Sequence, residues 1–93
     1  MKLTDDQINN RLEDFPDWEY DDNAIHTTIE FENFREVFAT MTRIAFECEK
    51  MDHHPTWTNT YNELEISLNT HDADGVTEKD FDLAAAIDDI LGA

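Results

Sequence analysis

The chain is predicted to fold as an α+β protein with the element order α-β-β-α-β-β-α, in which a four-stranded antiparallel sheet carries helices packed on one face. Two hydrophobic patterns predict this class. Three segments repeat apolar residues every three or four positions, as amphipathic helices do, and the short segments between them alternate apolar and polar residues, as half-buried strands do. Residues 1–93 contain no internal repeat, linker or low-complexity segment, so we interpret them as a single domain.

Three helices are predicted from capping residues and apolar periodicity. They begin after Thr4, Asn33 and Thr77, whose side chains cap free backbone N–H groups. The second helix, of about 18 residues or ~27 Å, must end before Pro55, because the residue preceding a proline is pushed out of the helical region. Its apolar stripe comprises Phe34, Val37, Phe38, Met41, Ile44, Ala45, Cys48 and Met51. So small a domain is not expected to cover this stripe alone, which predicts a homo-oligomer.

Four strands are predicted from alternation and turn residues. The first two, 18–20 and 24–31, flank an Asp-Asp-Asn turn, and His26 falls on the polar face of the second. The other two, 57–61 and 64–68, meet at a tight turn, and the last alternates apolar and polar residues throughout. The strands are therefore expected to form two antiparallel hairpins with one buried face and one wet face.

The charge balance excludes two classes of partner. The chain has 23 acidic and 6 basic side chains and a formal net charge of −17. Neither nucleic acid nor an anionic membrane surface is expected to bind, because both are recognised through Lys and Arg. Since 40% of the residues are hydrophobic, the chain is too apolar for disorder. We interpret the acidic residues as a solvated shell and hypothesise a high-salt cytoplasm.

Two further features concern location and redox chemistry. The N-terminal residues lack the apolar core of a signal peptide, and no apolar run approaches the ~18 residues of a membrane span, so a cytoplasmic protein is expected. Cys48 is the only cysteine and falls on the apolar stripe of the second helix. It is interpreted as a buried structural thiol.

Three of the four histidines gather at the ends of predicted elements, where function concentrates. His53 and His54 lie where the second helix stops, and His71 follows the fourth strand. Histidine titrates near ~6.5 and both donates and accepts protons at neutral pH, so the cluster is a candidate for acid–base catalysis. The carboxylates that flank the cluster and could orient an imidazole are Glu49, Asp52, Asp72 and Asp80.

Two other interpretations stay open. The pair His53-His54 is also compatible with a helix end at the surface, and His26 with a solvated position in an acidic shell. Three histidines and a carboxylate could also ligate zinc. Ligands of one ion usually share a helix face, however, whereas adjacent histidines on an extended backbone point apart, so no metal is expected.

A spaced motif resembles the signature of the pterin-4a-carbinolamine dehydratases. It reads Glu49-x-x-x-His53-His54-Pro55, followed by Tyr61 after five residues, His71 after nine more and Asp80 after eight more. The similarity runs from about Phe31 to Ile90, roughly two thirds of the chain, with Trp18 as an outlying match. Seven positions matching together at fixed spacing are far more specific than any one of them.

The resemblance implies an activity and a site. A 4a-hydroxytetrahydropterin, left when an aromatic amino-acid hydroxylase uses its pterin, would lose water to give the quinonoid dihydropterin in tetrahydropterin recycling. Histidine acid–base chemistry would suffice, without a metal or organic cofactor. The implied catalytic residues are His53, His54 and His71, supported by Glu49 and Asp80. The implied pterin pocket adds Asp52, Pro55, Asn69, Thr70, Asp72 and, at its rim, Trp18.

The resemblance also implies alternatives. Members of the family often carry serine where this chain has Asn69, which leaves that pocket contact open. The family suggests a tetramer, and its animal members resemble adaptors that stabilise dimers of a homeodomain transcription factor. A non-catalytic binding or dimerisation adaptor of the same fold is therefore the alternative function. A neighbouring aromatic amino-acid hydroxylase gene would favour the enzyme.

Overall fold

A four-stranded antiparallel sheet underlies the fold in the computed structural model, which describes residues 1–92. Consecutive strands form the two expected hairpins, and the second and fourth strands pair to join them, with Ile25 opposite Leu68 and Glu30 opposite Glu63. The spatial order is therefore β1-β2-β4-β3, for β1 (Glu19–Asp21), β2 (Ala24–Glu30), β3 (Thr56–Thr60) and β4 (Glu63–Leu68).

Three helices complete the predicted order: α1 (Asp5–Arg11), α2 (Phe34–Met51) and α3 (Glu78–Leu91). The side chains of Thr4, Asn33 and Thr77 each accept a hydrogen bond from a backbone N–H of the first turn, as predicted. The core between sheet and helices holds Ile25, Val37, Ile44, Leu64, Ile66, Leu68, Phe81, Leu83 and Ile87, among others. No helix within residues 1–92 has the length and apolar character needed to cross a bilayer.

The strand bounds differ from their predictions by single residues in both hairpins. β1 begins at Glu19 because the Trp18 N–H donates to the Phe15 carbonyl at 3.0 Å, which closes a turn instead of a sheet pair. β2 ends at Glu30, and the carbonyl of Phe31 accepts from the Asn62 side chain in the β3–β4 turn at 2.8 Å. β3 starts at Thr56, one residue earlier than predicted. These shifts leave the alternation of faces unchanged.

The apolar stripe of α2 is wider than the surface that the subunit covers. Val37, Ile44 and Cys48 are fully buried, but Phe34 and Phe38 are 46% and 54% exposed. Their rings stack with centroids 5.5 Å apart. Phe46, which lies outside the predicted stripe, is 69% exposed. Burial raises the pKa of the Cys48 thiol, as expected for a structural cysteine.

Candidate active site

The C-terminus of α2 places two of the histidines. Asp52 has a left-handed backbone (φ 51°, ψ 44°), and the N–H groups of Asp52 and His53 donate to carbonyls of the last turn. This is a Schellman closure, in which the chain reverses direction. It carries His53 into the interior, with 9% of the residue exposed. His54 stays on the surface, and Pro55 keeps the backbone extended toward β3.

The loop after β4 places the third histidine. Thr70 and Gly75 form an isolated antiparallel bridge, in which the Thr70 N–H donates to the Gly75 carbonyl at 2.8 Å. The bridge closes the intervening residues into a 3-10 turn at His71–Ala73. His71 is exposed at the start of this turn. Its position is set by a short closed loop and not by a free segment.

These two segments face one another across a cavity of about 380 Å³. That volume lies within the ~300–1,000 Å³ typical of small-molecule sites. All three predicted catalytic histidines line it, as do four of the predicted pocket residues. The full lining is Asp52, His53, His54, Thr56, Asn69, Thr70, His71, Asp72 and Lys79.

A buried carboxylate holds His53 from behind. Asp80, in the first turn of α3, is fully buried, and its Oδ1 lies 2.6 Å from Nε2 of His53. Its Oδ2 accepts from the Thr77 N–H and from the Thr70 hydroxyl, each at 2.9 Å. Since Thr70 donates to Asp80, the Thr77 hydroxyl donates to the Thr70 oxygen, 2.6 Å away. Both carboxylate oxygens of Asp80 therefore have hydrogen-bond partners within the protein.

This network selects one tautomer of His53. An ionised carboxylate has only acceptors, so the nitrogen that faces Asp80 must carry a hydrogen. The Nε2–H of His53 is therefore the donor in the 2.6 Å contact. Its Nδ1 is left as the nitrogen that can take up or release a proton. Asp80, at the start of α3, is the side chain that contacts Nε2 of His53.

His54 has a weaker partner. Its Nε2 lies 2.7 Å from Oε2 of Glu49, one turn back on α2. Both side chains are more than half exposed. An exposed pair of this kind contributes about 1 kcal/mol or less, so it biases the ring orientation without locking it. The two adjacent histidines thus differ: one ring is held in the interior by a buried carboxylate, and the other lies at the surface beside an exposed one.

Two of the residues that the resemblance assigns to the pterin pocket, Trp18 and Pro55, do not line this cavity. Trp18 is 4% exposed, and its indole N–H donates to Oδ1 of Asp88 in α3 at 2.9 Å. A buried indole needs a hydrogen-bond acceptor, and α3 supplies one away from the histidines. Pro55 lies between two lining residues but does not contribute to the lining. Tyr61 of the motif is 63% exposed at the β3–β4 turn.

Two of the residues that line the cavity were not predicted from the sequence. Thr56 follows Pro55 directly and lies on the cavity wall because β3 begins there. Lys79 precedes Asp80 and brings a cation to the site. One signal for it existed: no other Lys or Arg follows Lys50 in the chain. In a strongly acidic chain, a single basic residue next to a motif residue indicates a candidate site residue.

The lining is suited to proton transfer on a polar ligand. It combines three imidazoles with carboxylate, amide, hydroxyl and ammonium groups. Within residues 1–92, no three His, Cys, Asp or Glu side chains are grouped to hold a metal ion. His26 lies apart on the wet face of the sheet, with Nε2 2.7 Å from the Asp21 carbonyl oxygen.

Similar solved structures share this architecture. A structure described as a transcriptional coactivator/pterin dehydratase from Brucella melitensis superposes with a TM-score of 0.94 at 36% identity, covering 97% of this chain and 98% of that one. A pterin dehydratase-like protein described as a RuBisCO assembly factor in the alpha-carboxysome reaches a TM-score of 0.68 at 17% identity. The second likeness shows the fold alone.

Sequence comparisons define the family. A protein of Christiangramia forsetii assigned by name to pterin-4-alpha-carbinolamine dehydratase is 60% identical over 90 residues, which cover 97% of this chain and 93% of the relative. A relative from Burkholderia orbicola with the same name is 47% identical over 89 residues, 94% of this chain and 87% of the relative. The family model for pterin 4 alpha carbinolamine dehydratase matches residues 1–90. The chain therefore belongs to the pterin-4a-carbinolamine dehydratase family, which is a family of hydro-lyases.

Proposed function

We propose that this chain dehydrates a 4a-hydroxytetrahydropterin to the quinonoid dihydropterin by acid–base catalysis with His53, His54 and His71. The observation that carries the proposal is one cavity lined by all three rings, one of which is held at 2.6 Å by a buried carboxylate. An aromatic amino-acid hydroxylase in the same cytoplasm is the proposed source of the substrate, which makes the reaction a step of tetrahydropterin recycling.

The reaction needs one acid and one base. The bond between C4a and the hydroxyl oxygen breaks, and an acid protonates the departing hydroxyl so that it leaves as water. A base removes the N5 proton, and the N5 electron pair forms the new C4a–N5 double bond. The enzyme loses one proton and gains one, so it returns to its starting charge after exchange with water. Each positioned acid or base contributes ~10²–10⁴-fold in rate.

The environments of the three rings favour different roles in proton transfer. His53 is restrained by Asp80 and keeps Nδ1 as its only exchangeable nitrogen, which suits a base of fixed direction. His54 and His71 are exposed, so they re-equilibrate their protons with water between turnovers. The Thr70 hydroxyl is occupied by Asp80 and Thr77. Thr70 is therefore proposed as a positioning residue and not as a pterin ligand.

Stopped-flow spectroscopy of a chemically generated 4a-hydroxytetrahydropterin tests the proposal. The wild-type protein should accelerate dehydration, and the variants His53→Ala, His54→Ala and His71→Ala should each slow it ~10–10³-fold, because a neighbouring ring or water partly replaces the missing group. The losses should not add, because the groups act on one transition state. His26→Ala is the control and should change the rate less than about twofold.

Two outcomes would overturn the assignment. One is a set of three cluster variants that all keep the wild-type rate while circular dichroism shows an intact fold. The other is a loss of activity after dialysis against EDTA that Zn²⁺ alone restores, which would make the histidines metal ligands.

A second candidate is a non-catalytic binding or dimerisation adaptor. The exposed aromatic side chains of α2 favour it, as does the description of the Brucella melitensis structure as a transcriptional coactivator/pterin dehydratase. No acceleration in the dehydration assay, combined with a stable complex of the wild-type chain with another protein, would favour this role over the enzyme.

A further inference from the structure

A second cavity, of about 500 Å³, adjoins the histidine site. The two cavities share three wall residues, Thr70, Asp72 and Lys79. The remaining wall of the second cavity comes from the N-terminal segment and the start of α3: Met1, Lys2, Leu3, Gln7, Ala73, Thr77 and Glu78. No histidine lines it, so it takes no part in the acid–base chemistry proposed above.

Two of the six basic residues of this strongly acidic chain line the second cavity. They are Lys2 and Lys79. Within residues 1–92, neither ammonium group lies within 4 Å of a carboxylate. The other charges on the wall are Asp72 and Glu78, and Glu78 is paired with Arg11. Within the described residues, the wall therefore carries two ammonium groups outside any ion pair and two carboxylates, one of which is paired with Arg11, on a molecule whose formal net charge is −17.

Lys2 is held over this cavity. The Leu3 N–H donates to the Val76 carbonyl at 2.8 Å, which fixes the N-terminal segment along the loop that precedes α3. The methylene stem of Lys2 crosses directly over Gly75, where an added Cβ would lie 2.8–2.9 Å from Cγ, Cδ and Cε of the lysine. Gly75 thus leaves room for the stem of Lys2, a residue that lines the cavity.

The chemistry of the pterin ring connects the two cavities. The reaction takes place at C4a and N5, and C6 is bonded directly to N5. A substituent on C6 therefore leaves the ring beside the reacting atoms. With those atoms at the histidines, a C6 substituent that extends into the second cavity would pass the shared wall residues Thr70, Asp72 and Lys79, of which Lys79 is the cation.

We infer that the second cavity is a subsite for an anionic substituent on C6 of the pterin, a carboxylate or a phosphate, bound by Lys2 and Lys79. The inference rests on the proposed dehydratase function and adds the class of substrate to it. The overall negative charge repels an anionic ligand, so its recognition depends on these two local cations.

Binding is tested with two stable pterins that share a ring, pterin-6-carboxylate and the neutral 6-hydroxymethylpterin, followed by quenching of pterin fluorescence. The wild-type chain should bind the carboxylate about threefold to tenfold more tightly, which is the effect expected of partly exposed ion pairs. Inorganic phosphate is added as a competitor. At phosphate concentrations below about ten times that of the pterin, it should not displace pterin-6-carboxylate. Displacement at lower concentrations would mark a free-anion site and overturn the inference.

Two variants separate charge from position. Lys2→Gln removes the ammonium, and Gly75→Ala keeps it but displaces the flexible stem of Lys2 from the loop. Both variants should bring the ratio of the two affinities, pterin-6-carboxylate over 6-hydroxymethylpterin, closer to one. Arg35→Gln removes a positive charge at the far start of α2 and should leave the preference as in the wild type.

The outcomes distinguish this inference from the proposed function. Equal binding of the two pterins, or a preference that survives Lys2→Gln, would overturn the subsite even if the neutral 4a-hydroxytetrahydropterin is dehydrated rapidly by the same preparation. Failure to accelerate that neutral substrate would instead count against the dehydratase function itself.

Discussion

Asp80 is the side chain that joins the fold to the candidate chemistry. It caps α3 through the Thr77 N–H and orients His53, and it is fully buried while doing so. Burial without water makes each of these hydrogen bonds costly to lose. One residue therefore acts in both stability and ring orientation, and a substitution that separates the two roles is informative.

Asp80→Asn should leave the fold intact and slow dehydration. The asparagine oxygen would take the Oδ2 position, where the Thr77 N–H and the Thr70 hydroxyl donate, and would place its NH₂ toward His53. Because NH₂ is a donor, His53 would be forced to carry its hydrogen on Nδ1. We expect a loss of ~10–10³-fold in kcat, no larger than the loss from removing the His53 ring itself, because Asp80 acts on the reaction through that ring.

Two measurements check the tautomer change. The ¹⁵N chemical shifts of the His53 ring should exchange between the two nitrogens, and kcat should fall while the melting temperature changes little. Asp82→Asn, at an exposed position two residues further along α3, is the matched control. An unchanged tautomer in Asp80→Asn combined with a large rate loss would contradict this account.

At the scale of elements, a side-chain hydrogen bond to one carboxylate links the turn before β1 to α3. The Trp18 indole donates to Asp88 at 2.9 Å. Burial raises the pKa of Asp88, and the neighbouring charges of Asp17 and Asp89 raise this pKa further, while the hydrogen bond from Trp18 opposes the rise. The folded state therefore binds a proton at Asp88 more tightly than the unfolded chain does.

Asp88→Asn should raise the free energy of unfolding at neutral pH. A carboxyl whose pKa is raised on folding destabilises the fold above that pKa, and the penalty disappears as the pH falls through it. The amide removes the charge and keeps an oxygen for the indole N–H. The gain should be about 0.5 kcal/mol or less because water screens the site, and it should shrink as the pH is lowered. Urea unfolding from pH 7 to 4 measures it.

Glu65→Gln is the control for this pH dependence, since it removes one exposed negative charge from the wet face of the sheet. It accounts for the general benefit of a lower net charge. A gain in Asp88→Asn that equals that of the control at every pH would mean that burial of Asp88 has no part in it.

At the scale of the whole molecule, the exposed aromatic rings of α2 predict self-association. Phe34 and Phe38 form a stacked apolar pair that stays about half exposed within residues 1–92. A second copy of the same surface would bury it symmetrically. Light scattering at micromolar concentration should return a dimer or a tetramer, and the double variant Phe34→Ser/Phe38→Ser should shift the mass toward the monomer. Arg35→Ser in the same turn should not, and a wild-type monomer would refute the prediction.

The acidic shell predicts that salt stabilises the fold. At neutral pH the formal net charge of −17 makes the compact state repel itself, and salt screens this repulsion, with a Debye length of ~3 Å at 1 M. The melting temperature should rise between about 0.1 and 1 M KCl at pH 7. Near the isoelectric point of about 4.1 the net charge vanishes, so the same salt step should have little effect. Equal shifts at both pH values would contradict an electrostatic cause.

Local features of the chain could be predicted from the sequence alone. The caps Thr4, Asn33 and Thr77 act within one turn of their helices, and the alternation along β4 sorts its side chains between two faces, so short segments contain the information. The histidine cluster could be predicted for a related reason. Its spacing forms a motif, and two of its members are adjacent at a helix end that Pro55 requires.

Long-range contacts could not be predicted from the sequence in the same way. The pairing of β2 with β4, the burial of Trp18 against Asp88 and the choice of His53 as the partner of Asp80 each join residues distant in the chain. Whether a side chain is buried depends on what packs opposite it, and periodicity along one helix does not contain that information. For this reason the stripe of α2 was predicted, whereas the exposure of Phe38 and the position of Lys79 between two cavities emerged only from how the elements pack together.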